Sequence, residues 1–227
     1  MVLKYPPRGS ELLREGEVQR PIFGIDIDGT LGLYHEHFWE FACRWTGRDL
    51  PHPEAFRGGS FAQFLGLAKT TYRKIKLAYR RGGAKRSMPV VPGASELTES
   101  LRARGAVVVL CTTRPYLSLE GVDEDTRHWA KRNQIRHDFI IWGEHKYREL
   151  ARFGSRVVAV LEDEPALLAQ AMDAGLVAHS IFRPYNGEGP WGPNANMFIN
   201  GYWHENLKGA QRSLLKALDE WEARQCS

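Results

Sequence analysis

The ten residues Ile22–Leu31, with the sequence IFGIDIDGTL, constrain the fold of this chain more than any other stretch. The first half is apolar and mostly β-branched, which is typical of a short buried strand. Asp26 and Asp28 lie two residues apart, so an extended backbone directs both side chains to one face before Gly29 ends the strand. The carboxyl end of a strand is where open parallel sheets bind ligands. Because two adjacent carboxylates repel each other, the pair predicts a bound Mg2+.

The alternative is that Asp28 and Gly29 form a simple turn, since Asp-Gly pairs are common in turns without any ligand. Composition does not distinguish these two interpretations. The chain has 227 residues, of which 43% are hydrophobic and 26% are charged, and these values are typical of a globular domain. No run reaches the roughly 20 apolar residues of a membrane-spanning helix. The first 20 residues lack the apolar segment of a signal peptide, so we expect a cytoplasmic location.

From residue 90 onward, strand and helix patterns alternate. The predicted strands are 106–111, 139–142, 156–161 and 177–182. The predicted helices before and between them are 92–104, 124–132, 146–153 and 165–174. Such alternation indicates βαβ crossovers, and therefore an α/β fold with a doubly wound parallel sheet covered on both faces. Residues 207–224 are amphipathic and predict a closing helix, whereas 183–206 have no clear role.

Residues 32–88 lie between the first strand and the first crossover helix, and we call this segment the cap. Its spacing predicts a helix over 34–45 that stops at Gly47, and a second helix from Ser60 to about Arg81. Ser60 with Gln63 matches the pattern of a capping box at the start of the second helix.

The second cap helix concentrates positive charge. Between Lys69 and Arg86 there are eight Lys or Arg residues and no Asp or Glu, although the whole chain has a net charge of only +4. Four of the eight follow helical spacing and form one stripe, called here the basic stripe: Lys69, Arg73, Lys76 and Arg80. A stripe of this kind is most often a solvated face, but it also fits a surface that contacts nucleic acid.

Residues suited to phosphate binding follow the strand at 106–111. Thr112, Thr113 and Arg114 precede Pro115, which disfavours a helix and leaves hydroxyl groups and backbone amides at the strand end. Such donors bind a phosphoryl oxygen without adding a titrating group. Either Thr112 or Thr113 could therefore bind phosphate; the other interpretation is that Thr112 merely ends a strand.

Two further charged positions follow later strands. Lys146 opens a helix, where the helix dipole disfavours a cation, so its position indicates an anion nearby. The residues Glu162, Asp163 and Glu164 stand directly beyond the strand at 156–161, and their mutual repulsion calls for a cation. The sequence favours Asp163 as the principal metal ligand, with Glu162 binding directly or through water.

These motifs, in this order, resemble those of the haloacid dehalogenase-like (HAD) phosphohydrolases, whose first motif is DxDGT followed by an apolar residue. The resemblance implies a HAD-like Rossmannoid core formed by 1–31 and 89–206, a helical cap over 32–88, and a C-terminal helix in 207–227 packed on the core. It also implies that an aspartyl-phosphate forms during catalysis.

The same resemblance implies a role for each motif residue. Asp26 would be the nucleophile and Asp28 the acid/base, while Thr112 and Lys146 would bind the transferring phosphoryl group. Thr113 and Arg114 would contact the substrate. The implied Mg2+ ligands are Asp26, Asp28, Glu162 and Asp163.

The size and helical character of the cap are most similar to those of the 5'(3')-deoxyribonucleotidases. In that family an aromatic residue just past the first motif stacks on the base, and Tyr34 falls at the matching position; a core aromatic of the cap is the alternative. We therefore expect a Mg2+-dependent phosphomonoesterase acting on (deoxy)nucleoside monophosphates. The alternatives are a polynucleotide end-phosphatase that uses the basic stripe, and a nucleic-acid-binding protein on an incidental phosphatase scaffold.

Overall fold

The structure, a computed structural model, describes residues 20–115, 118–186 and 201–226. Its strands are β1 (Ile22–Asp26), β2 (Val107–Thr112), β3 (Phe139–Trp142), β4 (Val157–Glu162), β5 (Ala178–Ile181) and β6 (Gly201–His204). They form one six-stranded sheet in the order β3-β2-β1-β4-β5-β6. Every neighbouring pair is parallel, so the carboxyl ends of all six strands lie at the same edge.

Eight α-helices accompany the sheet within the described residues. They are α1 (Tyr34–Thr46), α2 (Phe61–Phe64), α3 (Lys69–Arg81), α4 (Ala94–Ala103), α5 (Val122–Arg132), α6 (Lys146–Ala151), α7 (Pro165–Asp173) and α8 (Leu207–Gln225). Short 3-10 turns span Pro53–Ala55, Ala84–Ser87 and Gly154–Arg156. None of the described helices combines the length and the apolar character needed to cross a membrane.

Helices cover both faces of the sheet. On one face, α4, α5 and α8 pack against the sheet through buried residues such as Leu97, Trp129 and Leu214. On the other face, α6 and α7 pack against it through Leu150 and Leu168. All six residues of β2 are buried, as its continuous apolar run requires for a strand covered on both sides. The predicted doubly wound parallel sheet is confirmed.

The second cap helix differs from its prediction. Ser60 does cap a helix, since its hydroxyl accepts a hydrogen bond from the backbone N–H of Gln63 at 3.4 Å. That helix, however, ends after four residues, and a new helix starts only at Lys69. Gly66 lies between them with a φ of +62°, a left-handed conformation that interrupts helical hydrogen bonding. The apolar spacing continues across the break, so the pattern alone did not reveal it.

A second difference concerns residues 183–206. Their last part contains β6, a parallel edge strand that the sequence analysis missed because GYWH is short and half of the side chain of Tyr202 is exposed. Their first part, 183–186, turns back towards the carboxyl end of β1. The remainder, 187–200, lies outside the described residues, as does the polar lead-in over 1–19.

The helices α1, α2 and α3 are inserted between β1 and α4, and they have an apolar cluster of their own that includes Phe38, Phe61 and Ile75. The two connections between this insertion and the sheet lie side by side, because Gly32 and Val90 form an antiparallel bridge. We retain as a proposal the division into a core, a cap over 32–88 and a C-terminal helix.

Candidate active site

Asp26 is the last residue of β1 and is buried, and the loop beyond it turns sharply at Gly29. Gly29 has a φ of +101°, and a Cβ atom built there would lie 2.2 Å from Oδ2 of Asp163. Only glycine combines that conformation with so close an approach. The motif glycine therefore brings the end of β1 against the acidic residues that follow β4.

Lys146 joins the ends of β1 and β4. It opens α6, is completely buried, and donates hydrogen bonds to Oδ1 of Asp26, to Oε2 of Glu162 at 2.7 Å and to the carbonyl oxygen of Cys111 at 3.2 Å. Burial by itself would lower the pKa of Lys146, but the two carboxylates outweigh it and raise that pKa above its ordinary value. Lys146 is therefore a fixed positive charge between two acids, as its unusual position at a helix start indicated.

Glu162 and Asp163 differ in how many donors they already satisfy. Glu162 accepts from Lys146 and from the Tyr147 hydroxyl at Oε2, and from the backbone N–H groups of Asp163 and Glu164 at Oε1. A carboxylate has about four acceptor positions, so those of Glu162 are filled. Among the described residues, the carboxylate of Asp163 accepts from Thr30 and Tyr185 alone, so it retains acceptor positions that Glu162 lacks.

A metal ion fits between these acids. Asp26, Glu162 and Asp163 each offer an oxygen atom, and these atoms lie within 4.8 Å of one another. Burial and the charge of Glu162 raise the pKa of Asp26, and the same two causes raise that of Asp163 to about 7. Three buried carboxylates with Lys146 as the cation between them carry excess negative charge, which a hard divalent cation would neutralise. Their free acceptor positions favour Asp26 and Asp163 as direct ligands.

Asp28 is held by two cations. Arg114 binds it through two hydrogen bonds, of 2.6 Å to Oδ1 and 3.2 Å to Oδ2, and Lys85 from the 3-10 turn at Ala84–Ser87 also contacts Oδ2. Burial would raise the pKa of Asp28, but Arg114 and Lys85 hold that pKa well below its ordinary value. Asp28 is therefore ionised, which suits a base but requires a rearrangement before it can act as an acid.

The residues predicted for phosphate and substrate binding separate in the structure. Thr112 ends β2 and is buried, and its hydroxyl accepts from the backbone N–H of Arg114 at 3.3 Å. Thr113, the alternative, is exposed and lines the cavity described below. The buried guanidinium of Arg114 binds Asp28 and the Thr126 hydroxyl, and its expected contact with the substrate stays a prediction. The sequence pattern could not show that Arg114 would form an ion pair with Asp28.

A cavity of about 630 Å³ opens beside Asp26, between the strand ends and the cap. Its aromatic lining is Tyr34, His35, Phe56, Phe61, Tyr72 and Tyr185. Tyr34 thus lies where the sequence placed it, but Nζ of Lys85 lies 4.2 Å from the centre of its ring. The ring is shared between the cavity and this cation, and its contact with a base stays a prediction.

The basic stripe is divided by this cavity. Lys76 and Arg80 line it and are partly buried, whereas Lys69 and Arg73 are exposed and are not among the described lining residues. The stripe is therefore not a uniform solvated face, and only half of it continues towards Asp26.

Two site residues escaped the sequence analysis. The hydroxyl of Tyr185, in the loop after β5, donates to Oδ2 of Asp163, while its ring lies 4.5 Å from the ring of His35 in the cap. Lys85 was noted only as part of the positive run. Neither has a local signal, because each reaches the site through tertiary packing.

Comparisons with known proteins confirm the fold. No protein-family model matches the sequence, and no curated protein matches it. Solved structures do match. A predicted phosphatase from Clostridium acetobutylicum has a TM-score of 0.59 at 14% identity, over 87% of this chain and 99% of the other. CbbY from Rhodobacter sphaeroides, solved with phosphate, has a TM-score of 0.55 at 20% identity, over 82% and 94%.

A hydrolase of the haloacid dehalogenase-like family from Streptococcus pneumoniae has a TM-score of 0.54 at 14% identity, over 86% of this chain and 99% of that protein. The sheet of this chain, with its helices on both faces, is thus a HAD-like Rossmannoid core. At such low identities the likeness extends to the fold, and the activity has to be argued from the site.

Proposed function

We propose that this protein is a phosphomonoesterase that transfers the phosphoryl group of its substrate to Asp26 and then hydrolyses the aspartyl-phosphate. One observation carries the proposal. Asp26 lines the cavity with Oδ1 held by Lys146, and among the described residues nothing donates a hydrogen bond to its Oδ2. A buried carboxylate with one oxygen fixed and the other free is arranged as a nucleophile.

In the first step, Oδ2 of Asp26 forms a bond to phosphorus, and the bond from phosphorus to the leaving oxygen breaks. Lys146 stabilises the negative charge that gathers around the transferring group. The leaving oxygen requires a proton, and Asp28 is the nearest candidate in the motif. Because Lys85 and Arg114 keep Asp28 ionised, one of these contacts must loosen and Asp28 must take up a proton from solvent before it can supply that proton.

In the second step, water attacks the phosphorus of the aspartyl-phosphate and Asp26 is released as a carboxylate. Asp28, in its ionised form, accepts the proton of the attacking water. Its two cations keep the carboxylate ionised in the resting protein, but they also weaken it as a base. One of these contacts must therefore loosen in this step as well.

The cofactor in this proposal is Mg2+. Its protein ligands would be the carboxylates of Asp26 and Asp163 and the backbone carbonyl of Asp28, and Glu162 would bind it through a water molecule. Glu162 takes the outer position because its acceptor positions are occupied by Lys146, Tyr147 and two backbone amides. When bound, the ion would neutralise charge on the phosphoryl group.

The proposed substrates are (deoxy)nucleoside monophosphates. A volume of about 630 Å³ lies within the range of small-ligand sites, and the aromatic rings contributed by the cap suit a planar base. A polynucleotide end is the less favoured substrate, because the Lys69 and Arg73 half of the basic stripe lies outside the cavity. The predicted phosphatase from Clostridium acetobutylicum supports phosphoryl chemistry without indicating the leaving group.

The test is a screen of phosphomonoesters, read as released phosphate, with Mg2+, with Ca2+ and with excess chelator. We expect turnover of nucleoside monophosphates that requires Mg2+ and falls by several orders of magnitude in Asp26→Asn. Ca2+ should support little activity, because its larger and looser coordination shell disturbs in-line geometry.

Two results would contradict the proposal: full activity in chelator, or retention of a tenth of wild-type turnover in Asp26→Asn. An oligonucleotide with a terminal phosphate serves as the competing substrate. If the oligonucleotide gave the higher kcat/KM, and if log kcat/KM fell with log salt concentration at a slope of about −0.7 for each phosphate contacted, the protein would be an end-phosphatase and not a mononucleotidase.

A further inference from the structure

Lys76 and Arg80 are cations that the proposed reaction does not use. Both lie on the same face of α3, four residues apart, and both line the cavity that opens on Asp26. Lys69 and Arg73 belong to the same stripe but are exposed outside the cavity. A side chain that only kept α3 soluble would gain nothing from being partly buried against a cavity wall.

Neither cation has a carboxylate partner in the described part of the chain. Lys76 lies beside an aromatic ring, with its Nζ 5.7 Å from the centre of the Tyr72 ring. Burial lowers the pKa of Lys76, and the neighbouring charge of Arg80 lowers it further. Asp28 opposes this shift, but Lys85 and Arg114 already bind its oxygens.

Two unpaired cations close together are unfavourable in the free protein, because burial removes water and their charges repel. An anion placed between them would relieve both effects. The contrast with Lys85 is informative: Lys85 is more deeply buried, yet it is paired with Asp28.

The cavity therefore has two differently charged sides. The core side presents Asp26 and Asp163 at the ends of β1 and β4, where Mg2+ and the reacting phosphoryl group would bind. The cap side presents Lys76 and Arg80 from α3. A small molecule that places its phosphoryl group at Asp26 would extend its remainder towards the cap.

We propose that Lys76 and Arg80 form an anion subsite, and that the substrate is a phosphomonoester with a second anionic group, a phosphate or a carboxylate, distant from the reacting phosphoryl group. This inference rests on the proposed function, since it concerns the same cavity. It extends the proposed substrate class: a nucleoside monophosphate would be hydrolysed with the subsite empty, whereas a nucleoside bisphosphate would fill the subsite and be the better substrate.

The test uses pairs of substrates that differ in the second anion. One pair is a deoxynucleoside 5'-monophosphate and the corresponding 3',5'-bisphosphate, and the other is glycerol 3-phosphate and 3-phosphoglycerate. In the wild type with Mg2+ we expect kcat/KM to be at least ten-fold higher for the doubly anionic member of one pair. The pair that shows the preference distinguishes a phosphate from a carboxylate.

Matched double variants assign the preference to residues. Lys76→Met/Arg80→Met should reduce the ratio within the pair to near one, because kcat/KM falls more for the doubly anionic member than for the singly anionic one. Lys69→Met/Arg73→Met removes the same charge from the same helix outside the cavity and should leave the ratio unchanged. Equal loss of the ratio in both variants would indicate a general electrostatic effect and would overturn the subsite.

Binding to Asp26→Asn separates this inference from the proposed function. Titration calorimetry of the same pairs with this variant gives the ratio of dissociation constants without hydrolysis. If no compound is hydrolysed by the wild type but the ratio and its dependence on Lys76 and Arg80 are found, the phosphatase proposal fails and the subsite stands. If hydrolysis occurs but neither pair shows a preference, the subsite is refuted and the phosphatase stands.

Discussion

Lys146→Met should destabilise the metal-free protein strongly, and the size of the effect follows from the site. Lys146 is fully buried between Asp26 and Glu162, so its removal leaves adjacent buried carboxylates with no cation between them. Removing one partner of a buried ion pair costs about 3 to 5 kcal/mol. Protonation of a carboxyl group at the site sets an upper limit on this loss of stability. Neutralising a carboxyl of ordinary pKa near 3.8 costs about 1.4 kcal/mol per pH unit, which amounts to about 5 kcal/mol at pH 7.5.

The cost of protonating a carboxyl group falls with pH, and this gives the sign of the pH dependence of the destabilisation by Lys146→Met. Burial and Glu162 raise the pKa of Asp26, and without Lys146 that pKa rises further, so the folded variant gains stability when it binds a proton. At pH 5.5 the limit falls to about 2.3 kcal/mol, since pH 5.5 lies only about 1.7 units above the ordinary value. The stability difference from the wild type should therefore fall from about 3 to 5 kcal/mol to at most about 2.3 kcal/mol on acidification.

The assay is urea denaturation in excess chelator at pH 7.5 and pH 5.5. With an m-value of about 3 kcal/mol per M, the predicted loss lowers the midpoint by about 1 to 1.7 M at pH 7.5. Lys216→Met is the control, because Lys216 pairs with Glu220 across an exposed helix surface and should change stability by less than about 1 kcal/mol. A loss below about 1 kcal/mol for Lys146→Met at pH 7.5, or a loss that does not shrink at pH 5.5, would refute the reasoning.

Two further predictions concern residues that the sequence analysis did not assign. Tyr185→Phe removes the hydroxyl that orients Asp163 but keeps the ring against His35, so calorimetry should show Mg2+ affinity about 10-fold weaker; unchanged affinity would mean that Asp163 needs no such support. Burial, and then the neighbouring His204, lowers the pKa of His179 to about 3, so the folded protein cannot take up the proton that the unfolded chain binds below about pH 6.5. Stability should fall by up to about 1.4 kcal/mol per pH unit below that value, and His179→Gln should reduce this slope in denaturation curves at pH 7 and pH 5; an identical slope in both proteins would exclude His179 as its source.

The sequence predicted the parts of the fold that depend on local pattern. The strands that end at Asp26, Thr112 and Glu162 were predicted to within three residues of these ends, because an apolar run gives way there to polar residues. Parallel strands bring such ends to one edge, so the convergence of Asp26 with Asp163 followed from the topology. The sequence did not decide whether Glu162 or Asp163 is the direct metal ligand. The backbone amides that fill the acceptor positions of Glu162 cannot be inferred from residue order.

Features that depend on tertiary packing were not predicted. The break at Gly66 leaves the apolar spacing intact, and β6 is too short to show a period. The pairing of Arg114 with Asp28 was not predicted, because residue order does not show which carboxylate a buried arginine will reach. Tyr185 comes from a loop more than twenty residues after Asp163, the residue it binds, and only the fold reveals that contact.

The most direct test of the account is to identify the residue that carries the phosphoryl group during turnover. Asp28→Asn should slow hydrolysis of the intermediate, so a substrate with a good leaving group should load this variant with phosphate that mass spectrometry locates. We predict one labile phosphoryl group on Asp26, none in the Asp26→Asn/Asp28→Asn double variant, and none when Mg2+ is chelated. Phosphate release by the wild type without any acyl-phosphate in Asp28→Asn, or a phosphoryl group on another residue, would contradict the central claim.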